Sequence, residues 1–149
     1  GTSVGAFYGR FRDKEALLQA LDARFFNRFE SDFEAVQQEH DWENQPVSAI
    51  VHDVARFLVE VYQRDIGVLR SLNLKARLYG DSQFRQREQD AWDRMFPRLQ
   101  RLLLKDPGAI LHPDPKAATR FGFQVMFFSL REFMLRDPLR VGAGGGAGR

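Results

Sequence analysis

A helical period of apolar residues runs through almost the whole chain and constrains its fold more than any other feature. Between Lys14 and Arg136, apolar side chains recur at three- and four-residue steps, and no segment alternates as a strand does. The first segment reaches about His40 without a Gly or Pro, which predicts one helix of about 40 Å at 1.5 Å per residue. The sequence therefore predicts an all-α helical bundle.

Breaks in this period divide the rest of the chain into four further predicted helices. Their expected spans are about 47–64, 67–80, 82–104 and 116–136. Pro97 lies inside the third of them, where its missing backbone N–H predicts a kink or a break. Asp114 is predicted to cap the last helix, and Pro115 to begin it.

Composition excludes several classes of protein. The 149 residues, 44% of them hydrophobic, suit one domain with a real core. No Cys is present and the three His lie far apart, so we predict no disulfide and no metal site. Without a nucleophile motif or a Gly-rich phosphate loop, we expect no catalytic residues, no cofactor and no enzyme.

Hydropathy gives the expected location. No apolar run approaches the roughly 20 residues that span a bilayer, and no signal-peptide pattern opens the chain. We therefore expect a cytoplasmic protein with no membrane partner.

The first 18 residues suggest a short helix joined to the long one. Phe7 and Phe11 lie four apart, which predicts one anchored face, and small residues at positions 5, 6 and 9 allow a close approach to another surface. Lys14 stands in the first turn of the long helix, where it opposes the helix dipole and indicates an external anion such as phosphate. The alternative is an ordinary helix start with a solvated lysine.

Two consecutive runs in this stretch carry a family resemblance. They are Ser3-Val4-Gly5-Ala6-Phe7-Tyr8-Gly9-Arg10-Phe11 and Asp13-Lys14-Glu15-Ala16-Leu17-Leu18. Together they resemble the recognition helix and the fourth helix of TetR-family transcriptional repressors. The resemblance implies a homodimer that binds operator DNA and releases it when a small molecule binds.

The same resemblance implies which residues contact DNA. Bases or backbone would be contacted by Ser3, Val4, Gly5, Ala6, Gly9 and Arg10, and phosphates by Tyr8 and Lys14. Family members place two further helices ahead of the recognition helix, so the resemblance also implies a chain truncated at its front.

Three parts are expected along the chain. Residues 1–18 form a remnant of a helix-turn-helix DNA-binding domain, and residues 19–136 form a helical ligand-binding and dimerisation domain. Residues 137–149 are Gly-rich, which predicts a flexible tail.

Heavy use of Phe predicts a wide apolar interior between the helices spanning residues 47–104. Fourteen Phe are present, and aromatic side chains line most small-molecule pockets, so we expect a small apolar or amphipathic effector. Plain core packing is the alternative for any single Phe. Asn73 and Arg77 border a buried face, where they either hold a polar or anionic ligand group or lie on the surface. The predicted walls are Phe57, Val61, Leu69, Asn73, Arg77, Trp92, Met95 and Phe96.

The last helix is apolar on nearly every side between Phe121 and Leu130. Such a helix must be covered on both faces, which predicts a core on one side and a second copy of the chain on the other. The predicted homodimer residues are Phe121, Val125 and Phe128. Central burial within the monomer is the alternative.

Two functions follow from these features. The first is a ligand-responsive transcriptional repressor that binds operator DNA as a homodimer. The alternative is a stand-alone helical small-molecule-binding or dimerisation module that has no role at DNA.

Overall fold

A computed structural model describes residues 14–79 and 82–135, with the side chains of all of these except residues 15, 77–79 and 82. Within these residues the chain forms four helices and no strand, which confirms the all-α prediction. The helices are α1 (Lys14–Glu39), α2 (Val47–Tyr79), α3 (Ser82–Leu103) and α4 (Pro115–Leu135).

Helix α2 is the centre of the bundle. It contacts each of the other three helices, and α3 also contacts both α1 and α4. Helices α1 and α4 do not contact each other, so α2 and α3 separate them. The main core joins residues of all four helices and the turn after α1, with Phe33, Ile50, Leu103 and Phe123 among its buried members.

The turn between α1 and α2 is anchored by Trp42, although most of the residues around it are polar. Trp42 is only 1% exposed, although residues 41–45 read as a polar turn. Its indole Nε1–H donates to Asp53 Oδ2 at 3.0 Å, and its carbonyl accepts from Lys105 Nζ at 3.0 Å. These two hydrogen bonds join the turn to α2 and to the segment just after α3. Asp41, with φ of 48°, turns the chain in the left-handed region.

Helix α2 is kinked at Asp65, in agreement with the break that the sequence predicted at residues 65–67. Asp65 has non-helical angles (φ −107°, ψ 17°), and the helix continues on either side of it. Arg64 Nη1 donates to Asp32 of α1 at 2.8 Å, and its Nε donates to Asp65 at 2.9 Å. Arg64 therefore forms one ion pair with the neighbouring helix α1 and another with Asp65, the residue at the kink.

Helices α3 and α4 begin and continue largely as expected. The chain stays helical through Pro97, so the kink-or-break expectation resolves in favour of one helix. Helix α4 begins at Pro115, and Asp114 Oδ1 accepts the Ala117 N–H at 2.9 Å, which confirms the predicted cap. Gln100 of α3 donates to the Thr119 hydroxyl of α4 at 3.0 Å and joins the two helices.

Candidate ligand-binding cavity

A cavity of about 60 Å³ lies between all four helices. Most of its lining side chains are apolar, and many are aromatic. From α1 and α2 they are Phe25, Phe26, Phe29, Phe33, Val54, Leu58, Val61, Tyr62, Leu69 and Asn73; from α3 and α4 they are Phe84, Glu88, Ala91, Trp92, Met95, Phe96, Leu99, Phe123, Phe127, Arg131 and Leu135.

Helix α1 supplies four phenylalanines to this wall. Phe25 packs edge-on against Phe26 with ring centroids 5.2 Å apart, and against Phe29 at 6.0 Å. Phe33, the fourth, is buried in the main core. The aromatic stripe of α1 therefore forms one side of the cavity.

Helices α3 and α4 build the opposite side from stacked rings. Trp92 stacks on Phe96 with centroids 4.8 Å apart and planes 14° apart, and it meets Phe127 at 6.0 Å. Phe96 in turn contacts Phe123 at 6.3 Å. Offset aromatic contacts of this kind add about 0.5–1.5 kcal/mol each beyond the area they bury, so they stabilise the packing of α3 against α4.

Four polar side chains interrupt the apolar lining. Arg131 Nη1 donates to both Glu88 carboxylate oxygens, at 2.8 and 3.0 Å, and joins α4 to α3. Tyr62 and Asn73 of α2 also line the cavity. Burial, helped by the Glu88 carboxylate and opposed by Arg131, raises the pKa of the Tyr62 phenol above its ordinary 10.0, so the hydroxyl keeps its proton at neutral pH.

Six of the eight predicted ligand-binding residues line this one cavity. They are Val61, Leu69, Asn73, Trp92, Met95 and Phe96. Phe57 does not line it. Helix α2 turns Phe57 about 100° away from the wall residue Leu58, and its ring packs on Phe29 and Phe33 at 5.2 and 5.4 Å. The Arg77 side chain lies outside the described residues.

Sequence reasoning did not find the α1 phenylalanines, Tyr62 or the Glu88–Arg131 pair. Periodicity identifies a buried face but not which buried residues border a space. Glu88 and Arg131 are separated by 43 positions in sequence, so no local pattern could have paired them.

Cavity size decides what can enter. An apolar cavity of about 150 Å³ is known to hold benzene. At about 60 Å³, this cavity has less than half of that room. A ring-sized ligand therefore fits only if the lining side chains, or the helices that carry them, move apart.

The predicted dimer residues share one outer face of α4. Phe121, Val125 and Phe128 are 69%, 47% and 50% exposed, at the i, i+4 and i+7 positions of the helix. Thr119 and Phe123 are buried on the opposite side. No described residue of this chain covers the outer face, so within the described part of the chain the alternative of central burial does not hold for α4.

Lys14 is the one predicted DNA contact that the structure describes. It is exposed and is the first residue of α1. The other predicted DNA contacts, Ser3, Val4, Gly5, Ala6, Tyr8, Gly9 and Arg10, lie outside the described residues.

The described residues contain no group of three or more side chains that could hold a metal ion, and none of their helices is long and apolar enough to cross a bilayer. Comparison with protein-family models, with curated proteins and with solved structures finds no match to this chain. Fold and cavity define it as an all-α bundle with an aromatic-lined internal space.

Proposed function

We propose that this protein is a ligand-responsive transcriptional regulator of the TetR type, which binds operator DNA as a homodimer and responds to a small apolar or amphipathic molecule. One observation carries the proposal: a single helix, α1, both lines the cavity with Phe25–Phe33 and begins at Lys14. The residues that resemble a recognition helix lie immediately before it.

The small size of the cavity supports a switching role. A ligand shifts a protein between two states only if it binds one of them better. A ring-sized ligand needs a state in which the walls have separated, so its binding free energy favours that state over the one described. Because α1 carries one side of the wall, its tilt is among the motions that ligand binding favours.

The outer face of α4 supports the homodimer. Phe121, Val125 and Phe128 form an exposed apolar stripe, and a Cβ added at the neighbouring Gly122 would have nothing within 4 Å. Such a stripe can pack against its own copy about a two-fold axis, with Gly122 allowing close approach. A dimer with two-fold symmetry suits two DNA half-sites about one helical turn apart.

Selection from randomised duplex DNA tests the proposal, using the protein as its complete reading frame encodes it. We expect one enriched motif made of two inverted half-sites, and we expect cumene, an apolar probe for the cavity, to release the DNA. Lys14→Ala should weaken binding to specific and random duplexes alike, whereas Arg10→Ala should also change the preferred sequence. Lys116→Ala, at an exposed lysine in the first turn of α4, is the matched control and should leave both unchanged.

A selection that enriches no motif would contradict the DNA-binding part of the proposal. If cumene still bound, the result would favour the alternative function, a helical small-molecule-binding module without a role at DNA.

A further inference from the structure

We infer that the cavity selects a neutral apolar molecule carrying one hydrogen-bond acceptor, such as a ketone, which Tyr62 and Trp92 hold, and that the Glu88–Arg131 pair disfavours anions. The inference rests on the ligand site of the proposed function and specifies the chemistry of that ligand. It differs from the sequence-based alternative in which Asn73 and Arg77 hold a polar or anionic ligand group.

The Tyr62 hydroxyl is the first group that points to an acceptor. Tyr62 is 5% exposed and lines the cavity, and its hydroxyl forms no hydrogen bond with another described residue. A phenol hydroxyl that lines the cavity without a protein partner is available to donate to a ligand acceptor. The high pKa of this phenol keeps its proton available for donation at neutral pH.

The Trp92 indole is the second group that points to an acceptor. Its Nε1–H is buried and has no hydrogen-bond partner among the described residues, while its ring forms part of the cavity wall. An indole N–H can donate but cannot accept. Most buried polar groups are paired, so an unpaired donor beside a space is best completed by a ligand acceptor that reaches it when the walls separate.

The Glu88–Arg131 pair sets the charge that the site tolerates. The guanidinium is engaged by both oxygens of Glu88 and lies 5.1 Å from the centre of the Phe128 ring. An anionic ligand that recruited Arg131 would leave the Glu88 carboxylate without its partner in a largely apolar space, which is costly. A neutral acceptor leaves this pair intact.

Three probes of similar shape separate these features: acetophenone is a neutral acceptor, cumene has no polar group, and benzoate is an anion. Dissociation constants are measured by isothermal titration calorimetry on the full chain. Because the probes differ in their own hydration, the quantity compared is the ratio between two probes and how a variant changes it. In the unmodified protein we expect acetophenone and cumene to bind, and benzoate to bind more weakly than acetophenone.

Tyr62→Phe removes the hydroxyl and keeps the ring. We expect the acetophenone dissociation constant to rise about threefold to tenfold relative to that of cumene, the range for one hydrogen bond. Trp92→Phe removes the indole donor and part of the ring wall. Because the lost wall affects acetophenone and cumene alike, the same ratio should change in the same direction. Circular dichroism of each variant verifies that the fold is retained.

Glu88→Gln tests the charge argument, because it frees the Arg131 guanidinium. Benzoate binding should tighten at least tenfold relative to acetophenone. Glu60→Gln is the matched control: Glu60 is exposed, lies outside the cavity, and its change should leave the ratio as it was.

Several results would overturn the inference. Equal weakening of acetophenone and cumene by Tyr62→Phe would show that the hydroxyl holds no acceptor, while the proposed ligand cavity would stand. Tighter binding of benzoate than acetophenone in the unmodified protein would refute the charge argument. If none of the three probes bound, the ligand site of the proposed function would fall together with this inference.

Discussion

Single buried or half-buried polar groups fix the end of the bundle where α1 turns into α2. Asp53 Oδ2 accepts hydrogen bonds from His40 Nδ1 at 2.7 Å and from Trp42 Nε1 at 3.0 Å, and its Oδ1 lies 3.7 Å from His52 Nδ1. Burial acts to raise the pKa of Asp53, but the hydrogen bonds from His40 and Trp42 outweigh it. The pKa of Asp53 therefore lies below its ordinary value of 3.8.

This depressed pKa makes stability depend on pH in a defined direction. A carboxyl whose pKa is lower in the folded state stabilises the fold above its unfolded pKa, and this contribution is lost as the pH falls through the folded pKa. Asp53→Asn should therefore lower the free energy of unfolding by about 1–2 kcal/mol at neutral pH. The difference from the unmodified protein should shrink as the pH falls below about 4.

Urea unfolding at neutral and acidic pH measures this difference. Glu39→Gln, at an exposed carboxylate at the end of α1, controls for the loss of a carboxylate as such. A difference for Asp53→Asn that stayed constant into acid would show that the charge of Asp53 does not stabilise the turn.

At the scale of helices, the sequence predicts that each helix exists and roughly where it lies, but not the contacts that hold the helices together. The apolar period predicted helix in all four helical segments. The cap at Asp114 was predictable as well, because Asp followed by Pro is a local sequence signal for a helix start. The sequence also predicted the break at Asp65, but not the contacts that α2 makes with α1 beside it. Arg64 and Asp32, whose ion pair joins α2 to α1 beside the kink, are 32 positions apart in sequence, so no local pattern could have paired them.

The cavity follows the same physical division. The α2 and α3 residues that line it belong to apolar stripes, which periodicity reveals. Which stripe residues touch a space, and which touch another ring, depends on how the helices pack. Phe57 and Val61 share one stripe in the sequence, yet Phe57 contacts Phe29 and Phe33 while Val61 borders the cavity.

Gly67 tests how the kinked helix is stabilised. It lies within α2, and a Cβ added there would have nothing within 4 Å, so Ala is accommodated without a clash. Gly67→Ala should raise the free energy of unfolding by about 0.5–1 kcal/mol, because Ala restricts the unfolded chain more than Gly does. Urea denaturation gives the value.

A second glycine provides the contrast. Gly108 has φ of +90°, a conformation that Ala adopts only with strain, so Gly108→Ala should destabilise the protein. If Gly67→Ala also destabilised it, the bend at Asp65 would depend on the backbone freedom of the nearby glycine.

At the scale of the whole molecule, the exposed face of α4 is the surface that we propose for assembly of two chains. Val125 lies at the centre of the stripe that we propose as the dimer interface, and a charge there would be buried in the dimer without a partner. Val125→Glu should therefore reduce the sedimenting mass from about two chains to one at micromolar concentration, with the helical circular dichroism retained.

Leu111→Glu is the control for this change, since Leu111 is 94% exposed but lies in the loop before α4. It should leave the mass at two chains. A monomer in the unmodified protein would remove the proposed interface, and with it the basis for two symmetric DNA half-sites.

Transmission from the cavity to the start of α1 is the last property that the whole molecule must have if the proposal holds. The α1 wall residues Phe25–Phe33 lie 11–19 positions from Lys14, or about 16–28 Å along the helix. A tilt of about 10° would therefore move Lys14 by about 3–5 Å in each protomer.

The chain contains no Cys, so Lys14→Cys introduces a single thiol for a spin label. Pulsed electron paramagnetic resonance on the dimer should show the Lys14–Lys14 distance changing by several Å when cumene fills the cavity. The same label at Lys116, in the first turn of α4, should report an unchanged distance, because the α4 pair forms the fixed interface in the proposed dimer. A cumene-bound dimer whose Lys14 distance stayed constant would show that the cavity is not coupled to α1, and the ligand would then have to act through another helix or have no effect at DNA.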